Sequence, residues 1–171
     1  FKTFAKRMQI DILYIHQYFK TPEEGGKTRS YEIAKQLVKK GHKVTMITSW
    51  NKEKKKEISI EGIQIIYLPV TYKNEFSFLK RILSFKKFEL KAIAQGKKLS
   101  QPDIIFATST PLNIGIIGHQ LAKHFNCPWI FEIRDLWPEA PIRLGLINSN
   151  WLKKQLYRLE ATLLTSADKV I

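Results

Sequence analysis

The apolar residues of this chain follow two alternating patterns. Short unbroken apolar runs, typical of buried strands, are separated by longer stretches in which apolar residues recur every three or four positions, as in amphipathic helices. The pattern predicts strands at residues 10–16, 43–48, 58–60, 63–68, 103–107 and 128–133, and a last strand near the C-terminus. It predicts helices at about residues 27–40, 76–99, 111–125 and 151–164.

The order of these elements indicates the fold class. Strands that alternate with helices at this spacing form a parallel sheet covered by helices on both faces, because each crossover places its helix against the sheet. The segments 58–60 and 63–68, joined by Glu61-Gly62, instead resemble a hairpin or a pair of edge strands. We therefore predict an α/β domain built on a parallel sheet.

In such sheets ligands bind beyond the carboxyl ends of the strands, where the strand order reverses. Three loops with polar, glycine or proline residues follow predicted strands, at residues 16–29, 108–111 and 134–139. All three are expected at one edge of the sheet, and Thr108 and Ser109 are the candidates from the second loop. This convergence is the main argument, from the residues themselves, for a functional site.

The first of these loops predicts a phosphate site. Gly25 and Gly26 precede the helix predicted from residue 27, so the backbone can approach a ligand and the helix N-terminus offers unpaired N–H groups. The spacing matches neither the dinucleotide-binding glycine pattern nor a Walker P-loop, and paired glycines also form ordinary turns. His16, at the end of the first strand, is interpreted as a ligand-binding or proton-shuttling residue or, alternatively, as a structural histidine.

The third loop holds the sharper chemical signal. Arg134 and Asp135 directly follow a strongly apolar strand, so both are predicted at the ligand-facing edge. An arginine there can hold a phosphate with its planar fork of donors, and the aspartate can orient it or accept a substrate hydroxyl. The alternative is a structural ion pair between the two. Glu139 is a second carboxylate predicted near this edge, whereas Glu132 is predicted to point elsewhere.

Composition and charge narrow the possible partners. The 171 residues are 44% hydrophobic and 26% charged, as in a folded domain, and carry a formal net charge of +14. Such a charge indicates an acidic partner: nucleic acid, an anionic membrane surface or a phosphorylated substrate. The single cysteine, Cys127, excludes an internal disulfide and suits a reducing cytosol. No apolar run approaches the roughly 20 residues of a membrane span, and no cluster has metal-ligand spacing.

One helical stretch predicts a membrane contact. On the helix at residues 76–99, an aliphatic and an aromatic stripe lie on different faces, beside several lysines. Because one stripe suffices to dock the helix on the sheet, the aromatic stripe is interpreted as an interfacial membrane patch; the alternative is that both stripes are buried. The predicted patch consists of Phe78, Lys80, Phe85, Lys87, Phe88 and Lys91.

The two ends suggest part of a longer protein. Met8 directly precedes the first strand, so residues 1–7 are interpreted as a non-native remnant and residues 8–171 as the domain. An apolar run is just beginning at Ile171. A second domain is therefore expected to follow.

Three stretches together resemble a known family. They are the first strand with the Gly-Gly-x-x-Arg motif of residues 25–29, the sequence Leu-Val-Lys-Lys-Gly-His-Lys-Val-Thr-Met-Ile at residues 37–47, and the sequence Arg-Asp-Leu-Trp-Pro-Glu at residues 134–139. They resemble the N-terminal domain of family 4 glycosyltransferases of the GT-B fold. More narrowly, they are similar to bacterial sugar transferases of polysaccharide and O-antigen assembly, a group that includes N-acetylfucosaminyl transferases. The similarity extends from about Met8 to Ile171.

The resemblance implies a retaining, metal-independent transferase of two Rossmann-like domains. This chain would be the acceptor-side half, inactive without its own C-terminal, donor-binding domain, and the nucleotide sugar would be a substrate, with no cofactor needed. Gly25, Gly26 and Arg29 would lie near the diphosphate and sugar of the donor. Arg134 and Asp135 would act in catalysis, at a position where many family members have His-Asp. The remaining cleft candidates are His16, Thr108, Ser109 and Glu139.

A lipid-linked acceptor, with a polyprenyl phosphate as carrier, would explain the basic charge and would place the enzyme peripherally on the cytoplasmic face of the cell membrane. Two other functions remain as alternatives. One is a GT-B nucleotide-sugar 2-epimerase, whose Gly-Thr-Arg-Pro-Glu type of opening is absent from the sequence. The other is a basic nucleic-acid-binding domain, but no nucleic-acid motif is present and the charge is concentrated on one amphipathic segment. We therefore expect a glycosyltransferase without a nucleic-acid partner.

Overall fold

The computed structural model describes residues 9–26, 28–73 and 75–171; the predicted remnant, residues 1–7, lies outside these ranges. The described strands are β1 (Asp11–Ile15), β2 (Lys43–Trp50), β3 (Lys56–Ile60), β4 (Ile63–Pro69), β5 (Ile104–Thr108), β6 (Trp129–Glu132) and β7 (Lys169–Val170). The described α-helices are α1 (Arg29–Lys39), α2 (Phe78–Gly96), α3 (Asn113–Phe125), α4 (Glu139–Arg143) and α5 (Asn150–Ser166).

The strands form one sheet in the order β3-β4-β2-β1-β5-β6-β7. Every neighbouring pair is parallel except β3 and β4, which are antiparallel and joined at Glu61-Gly62 as a hairpin. The chain builds outward from β1 through β2 to β4 and then returns to place β5 on the other side of β1. The strand order therefore reverses between β1 and β5, and the predicted parallel α/β sheet is confirmed.

Two apolar cores lie on opposite faces of the sheet. Alternate residues of β1 contribute to each, with Leu13 and Ile15 in one core and Ile12 and Tyr14 in the other. The first core is closed by side chains from α2, α3 and α5, namely Phe88, Ala92, Ile114, Ile117, Leu121 and Leu163. The second is closed by α1, through Tyr31 and Ala34. Helices therefore cover both faces, as in a Rossmann-like domain.

The two stripes of α2 are placed opposite to the prediction. Phe88 and Ala92, from the aromatic stripe, are fully buried, whereas Leu79 and Leu83, from the aliphatic stripe, are 73% and 69% exposed. Ala92 lies one turn after Phe88, so its small side chain lets the helix approach the sheet while Phe88 fills the core. The prediction of Phe88 as a membrane-facing residue is therefore wrong. Neither α2 nor any other helix in the described part of the chain has the length and apolar character to cross a membrane.

Two short helical segments lie where loops were predicted. They are α4 and a single 3₁₀ turn at Pro22–Glu24, which precedes the glycine pair. Both are too short for a hydrophobic periodicity to mark them, because a recurring apolar position needs at least two turns. The longer helices and the strands match their predicted positions to within a few residues at each end.

Candidate functional site

A cleft lies at the edge of the sheet where the strand order reverses. It has a volume of about 300 Å³ and is lined by His16, Tyr18, Thr110, Arg134 and Asp135. The first two residues follow β1, Thr110 follows β5, and the last two follow β6. The three predicted loops thus meet where ligands bind in parallel sheets. We call this space the switch-point cleft.

His16 enters this cleft as an uncharged group. Its side chain is 4% exposed, and burial, with a further contribution from the Arg134 guanidinium, lowers its pKa to about 3. The imidazole is therefore neutral at pH 7, and its Nδ1 atom has no hydrogen-bond partner among the described residues. A pKa this low makes His16 a poor proton shuttle near neutral pH and favours a role as a neutral hydrogen-bonding group.

Arg134 and Asp135 both line the cleft but do not bind each other. The backbone N–H of Arg134 donates to Ser109 Oγ at 3.0 Å, which fixes the start of the loop. The carboxylate of Asp135 accepts a hydrogen bond from the hydroxyl of Thr110. Within the described ranges the Arg134 guanidinium has no carboxylate partner, so the ion-pair alternative is wrong and its donors remain available to a ligand.

Glu132, the last residue of β6, lies at the centre of a buried network under this edge. It is 2% exposed, and its Oε1 atom accepts hydrogen bonds from Arg29 Nε at 2.9 Å and Nη2 at 2.6 Å. Its Oε2 atom accepts from Thr108 Oγ1 at 2.8 Å. The prediction that Glu132 points away from this edge is therefore wrong. A carboxylate at the end of a fully apolar strand needs a cationic partner, and that rule could have signalled the network.

Arg29 was predicted near the donor diphosphate, and in the structure its guanidinium is bound to the Glu132 carboxylate. Its guanidinium joins the start of α1 to the end of β6, although its side chain remains 58% exposed. Thr108 is fully buried and supports Glu132 rather than facing the cleft. Ser109 is also buried and serves the backbone of Arg134. These three residues therefore support the edge, while the neighbouring Thr110 and Tyr18, which sequence reasoning missed, line the cleft.

Gly25 and Gly26 adopt backbone conformations that favour glycine, with φ of 67° and 100°. A Cβ atom added at Gly25 would meet nothing within 4 Å, and one at Gly26 would meet only Lys20 Cγ at 3.9 Å. The glycines are thus needed for backbone conformation rather than for internal packing, and the space beside them is open. Their proximity to a bound donor stays a prediction.

Glu139 does not reach the switch-point cleft. It begins α4, and its carboxylate accepts hydrogen bonds from the hydroxyl of Tyr157 and from Arg143 Nε at 2.5 Å. These contacts, the one from Tyr157 first, hold the pKa of Glu139 below its usual value. The short helix turns the carboxylate toward α5, so the expected cleft position of Glu139 is wrong and the residue joins two helices instead.

The residues of the predicted membrane patch differ in exposure. Lys80 and Lys87 are exposed, as a membrane contact requires, while Phe78 is half-buried. Phe85 is half-buried because its ring stacks on Tyr72 at 5.7 Å between centroids. Lys91 donates to the backbone oxygen of Pro69 at 3.1 Å. The large exposed apolar side chains of α2 are Leu79, Ile82, Leu83 and Leu90.

Metal binding has no visible basis in the described part of the chain. There, no three side chains of His, Cys, Asp or Glu come close enough together to hold a metal ion. The chemistry of the cleft rests on a guanidinium, a carboxylate, an imidazole and hydroxyl groups. Independence of metals and cofactors stays a prediction.

Comparison with known sequences assigns the family. The family described as "Glycosyl transferase 4-like domain" matches residues 24–171, which include the glycine pair, Glu132 and the Arg134-Asp135 loop. The chain belongs to this glycosyltransferase family. Of the functions weighed from the sequence, the match supports the glycosyltransferase rather than the epimerase or the nucleic-acid-binding domain.

Two individual proteins are also similar to this glycosyltransferase domain. A Klebsiella pneumoniae protein described as "Uncharacterized 42.6 kDa protein in cps region" is 26% identical over 140 residues, which cover 75% of this chain and 37% of that protein. The crystal structure of CalG4, the calicheamicin glycosyltransferase, has a TM-score of 0.54 at 15% identity, covering 91% of this chain and 43% of that one. The second likeness shows a shared Rossmann-like fold, as in one half of a GT-B protein. The chain spans less than half the length of either relative.

Proposed function

We propose that the whole protein transfers a sugar, with retention of configuration, from a nucleotide-sugar donor to a lipid-linked acceptor in the synthesis of a cell-surface polysaccharide. The observation that carries the proposal is the meeting of His16, Thr110, Arg134 and Asp135 in one cleft at the switch point of the sheet. The family match supports the transfer of a sugar. The Klebsiella relative is named as a protein in a cps region, and we propose a comparable setting for this chain.

Within this proposal the cleft faces a C-terminal domain that binds the donor. Arg134, free of a carboxylate partner in the described residues, holds phosphate or sugar oxygens with two parallel N–H groups. Asp135, held by Thr110, accepts a hydrogen bond from the acceptor hydroxyl. His16 contributes a neutral hydrogen bond rather than a positive charge. Gly25 and Gly26, in the same loop as His16, leave room for the diphosphate of the donor.

A lipid-linked acceptor lies at a membrane surface, and α2 offers a suitable contact. Its exposed aliphatic side chains Leu79, Ile82, Leu83 and Leu90 recur at helical spacing along one side. Exposed lysines flank them, including Lys80, Lys86 and Lys87. An apolar stripe bordered by lysines is typical of a helix that lies in the interface of an anionic membrane. We therefore propose peripheral binding to the inner face of the cell membrane.

The proposal is tested by assaying the full-length protein. Purified protein is incubated with labelled nucleotide sugars and a polyprenyl-phosphate-linked sugar acceptor, and the anomeric configuration of the product is determined by NMR. Arg134→Ala is expected to abolish transfer, whereas Arg158→Ala, which removes an exposed arginine of α5, serves as the matched control and retains it. The proposal would be contradicted if no sugar were transferred from any of the nucleotide sugars tested, or if the two variants were equally active.

A further inference from the structure

A narrow apolar groove lies between α2 and α5. It has a volume of about 140 Å³. Ile82 and Phe85 of α2 form one wall, Leu156 and Leu159 of α5 form the other, and the ring of Trp137 also lines the space. The two leucines of α5 are only half-buried, because the facing helix does not fill the gap. We call this space the helix groove.

Contacts around the helix groove fix both of its walls. The side-chain amide of Asn113, at the start of α3, donates to the backbone oxygen of Phe85 at 2.8 Å and so ties α3 to α2. Phe85 also packs edge-on against Trp137, with 6.5 Å between ring centroids. Leu163, two turns after Leu156, is buried in the core and anchors α5. The space between the walls is therefore a defined feature of the fold.

The chemistry of the helix groove selects an apolar ligand. Among the described residues that line it, the charged ones are Lys86 and Glu89, and they bind each other at 2.5 Å. Because Glu89 is only 3% exposed, this pairing leaves no uncompensated buried charge beside the groove. Apolar surface in contact with water costs about 25 cal/mol for each Å², so an apolar occupant would be stabilised there.

The size of the helix groove limits what can fill it. An α-helix with its side chains is about 10–12 Å across. A helix of a partner protein is therefore too wide to enter a groove of about 140 Å³. An engineered protein cavity of about 150 Å³, lined by leucine, isoleucine and phenylalanine, binds one benzene molecule. The helix groove thus suits a short stretch of a single hydrocarbon chain.

The helix groove adjoins the side of α2 that we propose contacts the membrane. Ile82 belongs both to the groove and to the exposed aliphatic stripe. Both helices are basic, since α2 carries five lysines and arginines against Glu89, and α5 carries three against Glu160. A second copy of the chain would present the same positive charge and be repelled, whereas an anionic bilayer would be attracted. The phospholipids of that bilayer would supply hydrocarbon chains at high local concentration.

We propose that the helix groove takes up one hydrocarbon chain of an anionic membrane phospholipid, held between the apolar side chains of α2 and α5. This inference rests on the proposed function, since it adds a lipid-binding site to the membrane surface proposed for α2 and gives α5 a part in it. The backbone N–H of Trp137 donates to the backbone oxygen of Asp135 at 2.9 Å. A chain bound against Trp137 therefore holds the edge that carries the switch-point cleft next to the bilayer.

The inference is tested by calorimetry on the full-length protein with dihexanoylphosphatidylglycerol, kept below the concentration at which it forms micelles. We expect saturable binding of this monomeric phospholipid and none of glycerol 3-phosphate, which has no hydrocarbon chain. Absence of saturable phospholipid binding would overturn the inference, as would equal binding of glycerol 3-phosphate. Tighter binding of geranyl phosphate would assign the groove to a prenyl chain and would also overturn it.

Variants locate the bound chain. Leu156→Trp fills the groove from α5 and is expected to weaken phospholipid binding about tenfold or more, because the chain loses its apolar contacts. Ile82→Trp fills the groove from α2, so its effect does not depend on the packing of α5. Leu144→Trp adds the same ring at a side chain that is 74% exposed after α4, and is expected to bind like the wild type. If either groove variant is folded and binds as tightly as Leu144→Trp, the assignment is wrong.

Tryptophan fluorescence tests the same site in a bilayer. Vesicles of phosphatidylglycerol and phosphatidylcholine with brominated acyl chains are expected to quench Trp137, because the bromine atoms would reach the groove. Trp137→Phe should therefore remove most of the quenching, whereas Trp151→Phe, at a tryptophan that is 70% exposed at the start of α5, should remove less. Quenching that persists in Trp137→Phe and is lost in Trp151→Phe would place the acyl chains outside the groove and overturn the inference.

The sugar-transfer assay of the full-length protein separates this inference from the proposed function. If the wild-type protein transfers sugar but binds no monomeric phospholipid, the helix groove is not a lipid site while the proposed function stands. If the phospholipid binds as expected and Leu156→Trp weakens it, but the wild-type protein transfers no sugar, the groove assignment stands and the proposed function fails.

Discussion

Arg29 and Glu132 are bound to each other at the edge of the sheet, although 103 residues separate them in the sequence. Both Nε and Nη2 of the arginine donate to one oxygen of the buried carboxylate. The contact ties the helix that follows the glycine pair to the strand that ends before Arg134 and Asp135. It therefore fixes the position of the loop that holds the glycine pair relative to the loop that holds Arg134 and Asp135.

Removing the arginine is expected to destabilise the fold. Arg29→Ala leaves the Glu132 carboxylate buried with Thr108, on its other oxygen, as its one remaining side-chain partner among the described residues, and should lower the free energy of unfolding by about 1–3 kcal/mol. The exposed side of Arg29 keeps the effect at the lower end, because water can reach the vacated position. Urea denaturation measures the change, with Arg158→Ala as the control.

A second substitution decides whether the unpaired charge of Glu132 causes this destabilisation. Combining Arg29→Ala with Glu132→Gln removes the unpaired buried charge and should restore part of the lost stability. If the double variant loses more stability than Arg29→Ala and Glu132→Gln lose when added together, the contact with Glu132 is not the reason for the destabilisation. Some other role of Arg29 would then explain the loss.

The contact also shows what the sequence could and could not reveal. Periodicity predicted the strands, most helices and the edge where Arg134 and Asp135 lie, because these depend on local spacing. The partner of Glu132 depends on which helix begins beside the end of β6 in the folded sheet, and no local pattern contains that information. For the same reason α2 was assigned the wrong inner face: its two apolar stripes are equivalent in sequence, and only the sheet beneath distinguishes Phe88 from Leu83.

His16 is expected to make stability depend on pH. The unfolded chain takes up a proton near pH 6.5, whereas the folded chain takes it up only near pH 3, so between these values protonation favours unfolding. Above pH 6.5 His16 adds no pH dependence to the free energy of unfolding. Between pH 6.5 and 3 that free energy falls by up to about 1.4 kcal/mol for each unit by which the pH is lowered. His16→Gln should remove this slope, measured as the difference between the denaturation curves of variant and wild type. A constant difference from pH 6.5 to 3, or the same change in the exposed-residue control His124→Gln, would contradict the assignment.

Gly26→Val in the full-length protein is expected to reduce turnover sharply without unfolding the protein. The added side chain would meet little within the domain but would occupy the open space beside the loop, and a φ of 100° disfavours it. Gly145→Val is a matched control, since Gly145 also has a positive φ, 69°, and open space around it, but lies after α4. Similar turnover in the two variants would make Gly26 an ordinary turn residue.

Binding to anionic vesicles is expected through α2. The chain should sediment with vesicles of phosphatidylglycerol and phosphatidylcholine, and less so in high salt, because ions screen the attraction. Leu79→Ser with Leu83→Ser, and separately Lys80→Glu with Lys87→Glu, should each reduce sedimentation. Lys39→Glu with Lys123→Glu carries the same charge change elsewhere and should have a smaller effect. Equal partition to vesicles of phosphatidylcholine alone would count against the role of charge.

Arg134 and Asp135 carry the prediction on which the proposed chemistry depends most. Arg134→Lys keeps the positive charge but loses the planar pair of donors, so kcat/KM of the full-length enzyme should fall about tenfold or more while the melting temperature hardly changes. Asp135→Asn keeps the size of the side chain and the Thr110 contact but removes the charge, and should also impair turnover. Glu23→Gln, at an exposed carboxylate of the 3₁₀ turn, is the control. A large loss of stability with turnover per folded molecule preserved would instead assign the two residues to the structure of the loop. Turnover would then not require the N–H donors of Arg134 or the charge of Asp135.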